Sequence, residues 1–176
     1  MLNKIFKVLI IIIVFLTIPT TLKISTNNPI EKEEKIVQQS NQKNQIGELK
    51  IEKLNLQEPL FNINSQENTI EKHITILKES IFPQHENSIM FIAAHSGTGK
   101  IAYFEELDQL KLNDTIILTL ENKNYFYQVK DIWEEKKNGY INVNKENKKQ
   151  LVLTTCSPNH PSYQLVINCI EKASTN

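Results

Sequence analysis

The sequence predicts a mainly β domain, either a barrel or a sandwich, on three observations. From Gly47 onwards, short apolar runs alternate with polar residues at a period of two, which is typical of half-buried strands. The runs recur at roughly ten-residue spacing, as in all-β sandwiches and barrels. Helical spacing is limited to one or two short segments.

Seven strands are expected, because seven short runs show this alternation. The dipeptide Asn122-Lys123 lies between two of the runs and marks a hairpin turn. In chain order, the predicted strands are Glu48–Leu54, Pro59–Ile63, Ser88–Ala94, Thr115–Leu120, Tyr125–Trp133, Gln150–Cys156 and Tyr163–Ile170.

One short helix is expected after the Gly-rich loop Ser96-Gly-Thr-Gly99. The apolar residues that follow the loop have helical spacing. A second candidate helix covers Thr69–Leu77. The residues that define the first helix are Ile101, Phe104, Leu107 and Leu110.

The N-terminal segment, residues 1–26, is predicted to be an export signal or membrane anchor. Lys4 and Lys7 precede an apolar run, Val8–Leu22, which at ~1.5 Å per residue spans about 22 Å of a ~30 Å hydrocarbon core. This length allows a signal peptide or an anchor, and the absence of a small-x-small cleavage site favours an uncleaved single-pass anchor. The basic flank would keep the N-terminus cytoplasmic and place the remaining chain outside the cell.

Residues 27–46 are predicted to form a flexible polar stalk, and residues 47–172 the folded domain. The stalk is rich in Asn, Gln, Glu, Lys and Ser, with too few apolar side chains to offset the entropy of ordering the chain. A single folded domain of this size fits the chain length.

The charge composition excludes two classes of function. The formal net charge is zero, so the chain lacks the basic surface that nucleic-acid binding needs, and no nucleic-acid partner is expected. All 20 basic residues are Lys and none is Arg, which excludes any mechanism that requires a guanidinium from this chain.

The two cysteines, Cys156 and Cys169, are expected in one β-hairpin but not in a disulfide. Alternation along both arms places them on opposite faces and near opposite ends, and one register that fits this parity sets Cys156 opposite Gln164. A disulfide needs Cα atoms within about 7 Å, which this geometry forbids. The same parity argues against a zinc site that uses both thiols, and no metal or cofactor is expected.

Cys156 is a candidate nucleophile, because it ends a strand beside a loop, whereas Cys169 is expected in the core. A free thiol is mostly protonated at neutral pH, so a nucleophilic role needs a nearby base or cation. Among four histidines, His95 lies where a strand meets the Gly-rich loop, a place that exposes functional side chains. His73 and His85 have polar sequence neighbours and are expected at the surface.

Several ordered segments resemble the sortases, a family of membrane-anchored cysteine transpeptidases of mostly Gram-positive bacteria. The resemblance covers about Gly47–Glu171, and its specificity comes from the order of the segments together. They are Leu49–Leu60, Leu77–Pro83, the His motif Ala94-His-Ser-Gly97, Ala102–Leu107, Leu112–Thr115 and the Cys motif Val152-Leu-Thr-Thr-Cys156.

The resemblance implies an eight-stranded β-barrel in which Cys156 attacks the Thr–Gly bond of an LPxTG-like sorting signal of a secreted protein. A thioacyl enzyme would form, His95 would serve as general acid and then base, and an amine of a cell-wall precursor or a pilin Lys would resolve the intermediate. The residues that neighbour His95 and Cys156 within the two motifs would contact the substrate, together with one loop residue. They are Ala94, Ser96, Thr154, Thr155 and, from the intervening loop, His160.

The chain departs from the family where an Arg normally completes the site, because Gln164 stands at the matching position. An amide donates hydrogen bonds without charge, so its help to a thiolate or an oxyanion would be weaker. His160 or Lys100 could supply a second donor or a cation. Two alternatives stay open: another His-Cys cell-wall transpeptidase or peptidase, and a degenerate sortase-like module that binds sorting signals without turnover.

Overall fold

A computed structural model describes residues 44–172. The predicted membrane segment, residues 1–26, and residues 27–43 of the predicted stalk lie outside the described residues. Between residues 44 and 172, no helix is long and apolar enough to cross a membrane. The strands are β1 (Gln45–Ile51), β2 (Leu56–Phe61), β3 (Thr75–Ile76), β4 (Ile89–Ala93), β5 (Thr115–Leu120), β6 (Lys123–Lys136), β7 (Gln150–Cys156) and β8 (Tyr163–Glu171).

The eight strands form one sheet in the order β2-β1-β5-β6-β8-β7-β4-β3, which curls into a nearly closed barrel. All neighbouring strands are antiparallel except β4 and β7, which run parallel. The two short helices of the described residues are 3-10 helices, Glu52–Leu54 and Leu107–Gln109. The prediction of a mainly β barrel is confirmed.

The barrel interior is packed with the alternating apolar residues of the strands. Leu49, Leu118, Tyr127 and Leu153 are fully buried, each on a different strand of the sheet. Burying a side chain of this size stabilises the fold by ~1.5–3 kcal/mol before the loss of chain entropy is counted. The period-two pattern in the sequence therefore corresponds to one continuous core.

All seven predicted strands are present, and the missed strand is β3. Residues Thr69–Leu77 form turns and then β3, so the candidate helix there is wrong. The side chain of Asn68 accepts a hydrogen bond from Ile76 N (2.8 Å) and donates one to Ile76 O (2.9 Å), taking the place of a strand neighbour. A two-residue strand held in this way is too short to show any alternation.

The predicted helix after the Gly-rich loop is a series of turns that ends in the 3-10 helix Leu107–Gln109. Phe104, Leu107 and Leu110 are buried, as the spacing suggested, but Leu107 N bonds to Phe104 O and Leu110 N to Leu107 O. Bonds three residues apart define tight turns rather than an α-helix. Ile101, the fourth residue of the predicted face, is exposed, so the apolar face is confirmed only in part and the type of helix is wrong.

The long strand β6 joins the two halves of the barrel. Its first part pairs with β5 and its second part with β8, with a register irregularity between Val129 and Asp131. Bulges of this kind bend a strand and increase its twist. As a result, Glu135 near the end of β6 lies opposite Gln164 of β8.

The β7–β8 register is the one that sets Cys156 opposite Gln164, and it sets Leu151 opposite Cys169. Both cysteines are free thiols, and Cys156 is exposed while Cys169 is buried. Their predicted placement on opposite faces and at opposite ends of the hairpin is therefore confirmed.

Candidate active site

The thiol of Cys156 lies at the exposed end of an otherwise buried strand. Thr155 Oγ1 donates a hydrogen bond of 2.8 Å to the carbonyl of Ala94, and Thr154 Oγ1 donates one of 3.0 Å to the carbonyl of Leu165. These bonds join the end of β7 to the residue that follows β4 on one side and to β8 on the other. The thiol is therefore presented to solvent from a fixed backbone.

His95 follows β4, the strand that pairs in parallel with β7. The last paired residues are Ala93 and Thr154, and Ser96 Oγ donates a hydrogen bond of 3.0 Å to the carbonyl of Cys156. Both His95 and Cys156 stand two positions beyond the Ala93–Thr154 pair, so the chain brings their backbones near each other at the ends of neighbouring strands. Two residues that are 61 positions apart in sequence thereby become neighbours.

The imidazole of His95 is half-buried and, among the described residues, makes no hydrogen bond to Cys156. The pKa of the Glu71 carboxyl is lowered, chiefly by hydrogen bonds from the Thr69 hydroxyl and the backbone amide of Glu71, with a smaller effect of the nearby His95. In free enzymes the hydrogen bonds of catalytic pairs are often long or misaligned and form when substrate binds. The arrangement is compatible with such a pair.

The polar partner of the thiol is Lys137, the residue that follows β6. Its Nζ lies 3.0 Å from Cys156 Sγ and 3.0 Å from the carbonyl oxygen of Pro161. Its backbone N also donates a hydrogen bond of 2.9 Å to the carbonyl of Ser162. Both the main chain and the side chain of Lys137 are thus bound to the loop that follows Cys156.

Gln164 lies beside the thiol, but its amide is engaged elsewhere. Its Nε2 donates to Glu135 Oε1 at 3.0 Å and to the carbonyl of Tyr140 at 2.9 Å. A side-chain amide has two N–H hydrogens, so both are used within the protein. Partial burial raises the pKa of the Glu135 carboxyl, but hydrogen bonds from Asn142 and Gln164 outweigh it and the net pKa is lowered.

The loop between β7 and β8 is held by a second carboxylate of β6. Glu134 Oε1 accepts hydrogen bonds from Ser157 Oγ (2.8 Å) and Asn159 Nδ2 (3.2 Å). Ser157 Oγ in turn accepts the backbone N–H groups of Asn159 and His160, each at 3.0 Å. The backbone that presents Pro161 to Lys137 is therefore ordered by its own side chains.

A groove runs from the thiol towards the Gly-rich loop. Its lining combines apolar side chains with two carboxylates, and Gly97 and Gly99 in the adjoining loop have positive φ (95° and 140°), which favours glycine. The lining residues are Ser96, Gly97, Thr98, Phe104, Glu105, Asp108, Thr155, Cys156, Ser157, Pro158 and Leu165.

A comparison with models of protein families matches the Sortase domain to residues 49–171. The chain belongs to the sortase family. The match covers both candidate motifs and all eight strands except the first residues of β1. No curated protein matches the sequence of this sortase.

Solved structures of sortases share the fold. A lid mutant of sortase A from Corynebacterium diphtheriae is 23% identical, with a TM-score of 0.64, and 72% of this chain and 69% of that chain are covered. Sortase C1 from Streptococcus agalactiae is 24% identical, with a TM-score of 0.65, and 74% of this chain and 69% of that chain are covered. Sortase C from Streptococcus pneumoniae is 24% identical, with a TM-score of 0.66, and the coverage is 76% of this chain and 70% of that chain.

The sortase barrel brings some of the predicted site residues together and not others. Ser96 and Thr155 line the groove with Cys156. Ala94 and Thr154 are buried in the barrel wall, where they contribute a carbonyl and a hydroxyl to backbone bonds. His160 is exposed on the β7–β8 loop with its ring tilted against that of Tyr163, 5.5 Å between centroids.

The cation beside the thiol was missed by sequence reasoning. In the described part of the chain, neither Lys100 nor His160 bonds to Cys156, whereas Lys137 does. Two consecutive lysines in a chain with 20 of them carry no distinguishing signal. The signal that could have found Lys137 is the register, since extending β6 alongside β8 to Lys136 leads directly to the next residue, Lys137.

Within residues 44–172, the other histidines do not form a second thiol–imidazole site. His73 is half-buried between Phe61 and Tyr103 and faces Glu67 at 3.6 Å, so its expected exposure was wrong, while His85 is exposed as predicted. Residues 44–172 contain no group of three or more His, Cys, Asp or Glu side chains that could hold a metal ion.

Proposed function

We propose that this sortase is a cysteine transpeptidase that cleaves an LPxTG-like sorting signal and transfers the acyl fragment to an amine. The observation that supports the proposal is an exposed Cys156 at the end of β7, with Cys156 and His95 each two residues beyond the last parallel pair of β4 and β7, Ala93 and Thr154. An exposed thiol on a rigid strand end, beside an imidazole and a cation, is the arrangement that nucleophilic catalysis by cysteine needs.

In the first half of the reaction, Cys156 gives its proton to His95 and the thiolate attacks the carbonyl carbon of the Thr–Gly bond. The Sγ–C bond forms, the C–N bond breaks, and His95 returns the proton to the leaving amine. In the second half, an acceptor amine attacks the thioester carbon and the C–S bond breaks. The proton lost by the amine passes through His95 to the Cys156 sulfur.

The substrate would lie in the groove beside the thiol. Phe104 and Leu165 provide apolar contacts, and the hydroxyl groups of Ser96 and Thr155 border the groove on the side of Cys156. Small polar groups around an apolar floor suit an extended peptide with one apolar anchor. Ala94 and Thr154 would act through the backbone they hold, and His160 from the loop above.

The partners proposed for the reaction are secreted proteins with LPxTG-like tails and an amine of a cell-wall precursor or a pilin. The sortase C structure from Streptococcus pneumoniae is described as giving insights into pilin substrate specificity, which supports a pilin as one candidate acceptor. We further propose that the apolar N-terminal segment anchors the enzyme in the cell membrane, with the barrel outside the cell.

A non-catalytic role is the second candidate, and the engagement of Gln164 favours it. With both amide hydrogens donated to Glu135 and Tyr140, Gln164 has none left for the substrate. A module of this kind would hold a sorting peptide without forming a covalent adduct.

The test is transpeptidation by the full-length chain, given an LPxTG-type peptide and a small amine. Wild-type protein should accumulate a thioester and release the transfer product, and Cys156→Ala should lose at least about 10³-fold in rate, because the nucleophile is gone. Cys169→Ala is the matched control, since it removes the other thiol and should keep its activity.

Mass spectrometry of the protein with peptide distinguishes the two candidates. A thioester on Cys156 supports the enzyme. Peptide that binds without adduct supports the binding module. Equal rates for wild type and Cys156→Ala would contradict the transpeptidase proposal.

A further inference from the structure

Lys137 occupies the place at the nucleophile where a positive charge has the greatest effect. Its Nζ is 3.0 Å from Cys156 Sγ, within hydrogen-bond distance for a sulfur acceptor. It comes from the end of β6, a different strand from β8, which carries Gln164. Because the chain contains no Arg, any cation at this site has to be a lysine or a protonated histidine.

We propose that Lys137 is a catalytic residue of this sortase, and that its ammonium group stabilises the thiolate of Cys156 and the oxyanion that forms when the thiolate attacks. This inference rests on the proposed transpeptidase function and assigns the cationic role to a residue outside β8. No bond to Lys137 forms or breaks. The ammonium keeps its protons while His95 transfers those of the reaction.

The charge of Lys137 is not paired with a carboxylate in the described part of the chain. The two carboxylates nearest in sequence, Glu134 and Glu135, accept hydrogen bonds from Ser157 and Asn159, and from Asn142 and Gln164, respectively. An ammonium that is not neutralised by a carboxylate is available to pair with a thiolate.

The position of the Lys137 ammonium is fixed by the loop that follows Cys156. The carbonyl of Pro161 accepts from Nζ at 3.0 Å, and the carbonyl of Ser162 accepts from the backbone N at 2.9 Å. A flexible surface lysine loses most of the benefit of an ion pair to side-chain entropy, and fixing it beforehand reduces that loss. The loop that follows the nucleophile thus holds the cation in place.

One N–H group of the Lys137 ammonium is not used by the described residues. A lysine ammonium has three N–H donors, and Lys137 directs two of them to Cys156 Sγ and Pro161 O. The third has no acceptor among the described residues. A carbonyl carbon bonded to Sγ would place its oxygen close to this group, where a charge-assisted hydrogen bond stabilises negative charge.

Gln164 is the alternative donor, and its contacts argue against this role. Its amide donates to Glu135 and to the carbonyl of Tyr140, and it is joined to a negative charge, which opposes oxyanion formation nearby. We therefore assign Gln164 the role of a positioning residue. It binds the carbonyl of Tyr140 directly and, through Glu135, helps to hold the segment that follows Lys137.

The first measurement is the rate at which iodoacetamide, a neutral reagent, alkylates the full-length protein. Burial raises the pKa of the Cys169 thiol, so alkylation of the folded protein reports on Cys156 alone. Lys137→Gln keeps a donor for Pro161 without the charge, and we expect alkylation at pH 7 to slow by about tenfold or more. Lys137→Arg, which keeps the charge, should recover most of the loss.

The matched control is Lys136→Gln, which removes one positive charge from the neighbouring residue. Lys136 is opposite Tyr163 in the register, and its side chain makes no hydrogen bond or ion pair in the described part of the chain. Its alkylation rate should stay within about twofold of wild type. Added 1 M NaCl should slow alkylation of wild type but not of Lys137→Gln, because salt screens exposed charges.

The second measurement is steady-state transpeptidation. Lys137→Gln should lower kcat roughly 10- to 100-fold and change KM little, because the interaction strengthens only as charge develops. A structural role in holding Pro161 would instead lower the unfolding midpoint in urea and leave kcat and the alkylation rate of the folded protein unchanged.

Three outcomes would overturn the proposal: equal alkylation rates for wild type and Lys137→Gln, failure of Lys137→Arg to restore the rate, or recovery of the acyl group on Lys137 itself by mass spectrometry. The last would mean that Lys137 acts as an acceptor amine. Failure of the proposed function is distinguishable, because inactive wild-type protein can still show the effect of Lys137 on alkylation.

Discussion

The two ends of the β7–β8 hairpin differ in how far their polar groups are buried and paired. At the open end, Gln150 is fully buried and all its polar atoms are paired: Nε2 donates to the carbonyl of Asn144 and to Asn168 Oδ1, and Oε1 accepts from Glu146 N. At the turn end, Cys156 is exposed and Lys137 donates to its sulfur.

The same segment, residues 137–149, serves both ends. It carries Lys137 to the thiol at one end, and it supplies Asn144 and Glu146 to Gln150 at the other. A buried and fully paired network stabilises the fold but has no capacity left for a ligand. An exposed thiol with a partly paired ammonium adds little stability and remains able to react. Substitutions at the open end should therefore change stability, and those at the turn end should change activity.

His95→Ala should produce the largest effect and tests the turn end. Loss of the group that transfers the proton should lower kcat/KM of transpeptidation by about 10²–10⁴-fold. The free energy of unfolding should change by less than about 1 kcal/mol, because the side chain is only half-buried.

The control for His95→Ala is His85→Ala, which removes an exposed imidazole. Rates from steady-state kinetics and unfolding free energies from urea titration should be measured on the same preparations. If His95→Ala kept its activity within about threefold of wild type, the turn end would not be the reactive end.

Gln150→Ala tests the open end and should have the next largest effect. It leaves Asn168 Oδ1 without its donor and opens a cavity in a fully buried site, so the free energy of unfolding should fall by about 2–3 kcal/mol. Activity per folded molecule should change little.

The matched substitution for Gln150→Ala is Gln84→Ala, on an exposed glutamine, which should cost less than about 0.5 kcal/mol. Urea denaturation measures both. Equal midpoints for the two variants would show that the buried network contributes no stability, and the contrast between the ends would fail.

The sequence was sufficient for the β-strands and the hairpin that carries the nucleophile. Alternation with a period of two identifies β5 and β7 to the residue, and the same parity separates Cys156 from Cys169. Parity also allows Gln164 opposite Cys156 as one of several registers that differ by two residues, and the structure has that one. These features are set by local pattern and by burial, which the order of residues records directly.

The sequence was insufficient where a contact depends on the end of a strand. The predicted fifth strand ended at Trp133, but β6 continues to Lys136, because Glu135 and Lys136 pair with β8 beyond the apolar run. Lys137 reaches Cys156 from that extension. Polar residues at a strand end carry no alternation, so only the register between distant strands identifies the cation.

Glu135→Gln is the smallest expected effect, and it tests how the turn end is held. The carboxylate of Glu135 accepts hydrogen bonds from Asn142 and Gln164, and its pKa in the folded protein is lower than the ordinary value. This group therefore stabilises the fold above the ordinary glutamate pKa of about 4.3, and the contribution is lost as the pH falls through the lower folded-state value.

Wild type should be more stable than the Glu135→Gln variant by about 1 kcal/mol at pH 7, and the two should converge in acid. Urea titrations at pH 7, 5 and 3, with the exposed Glu79→Gln as control, would measure this. A difference that stayed constant with pH would mean that the charge of Glu135 does not hold Gln164 in place.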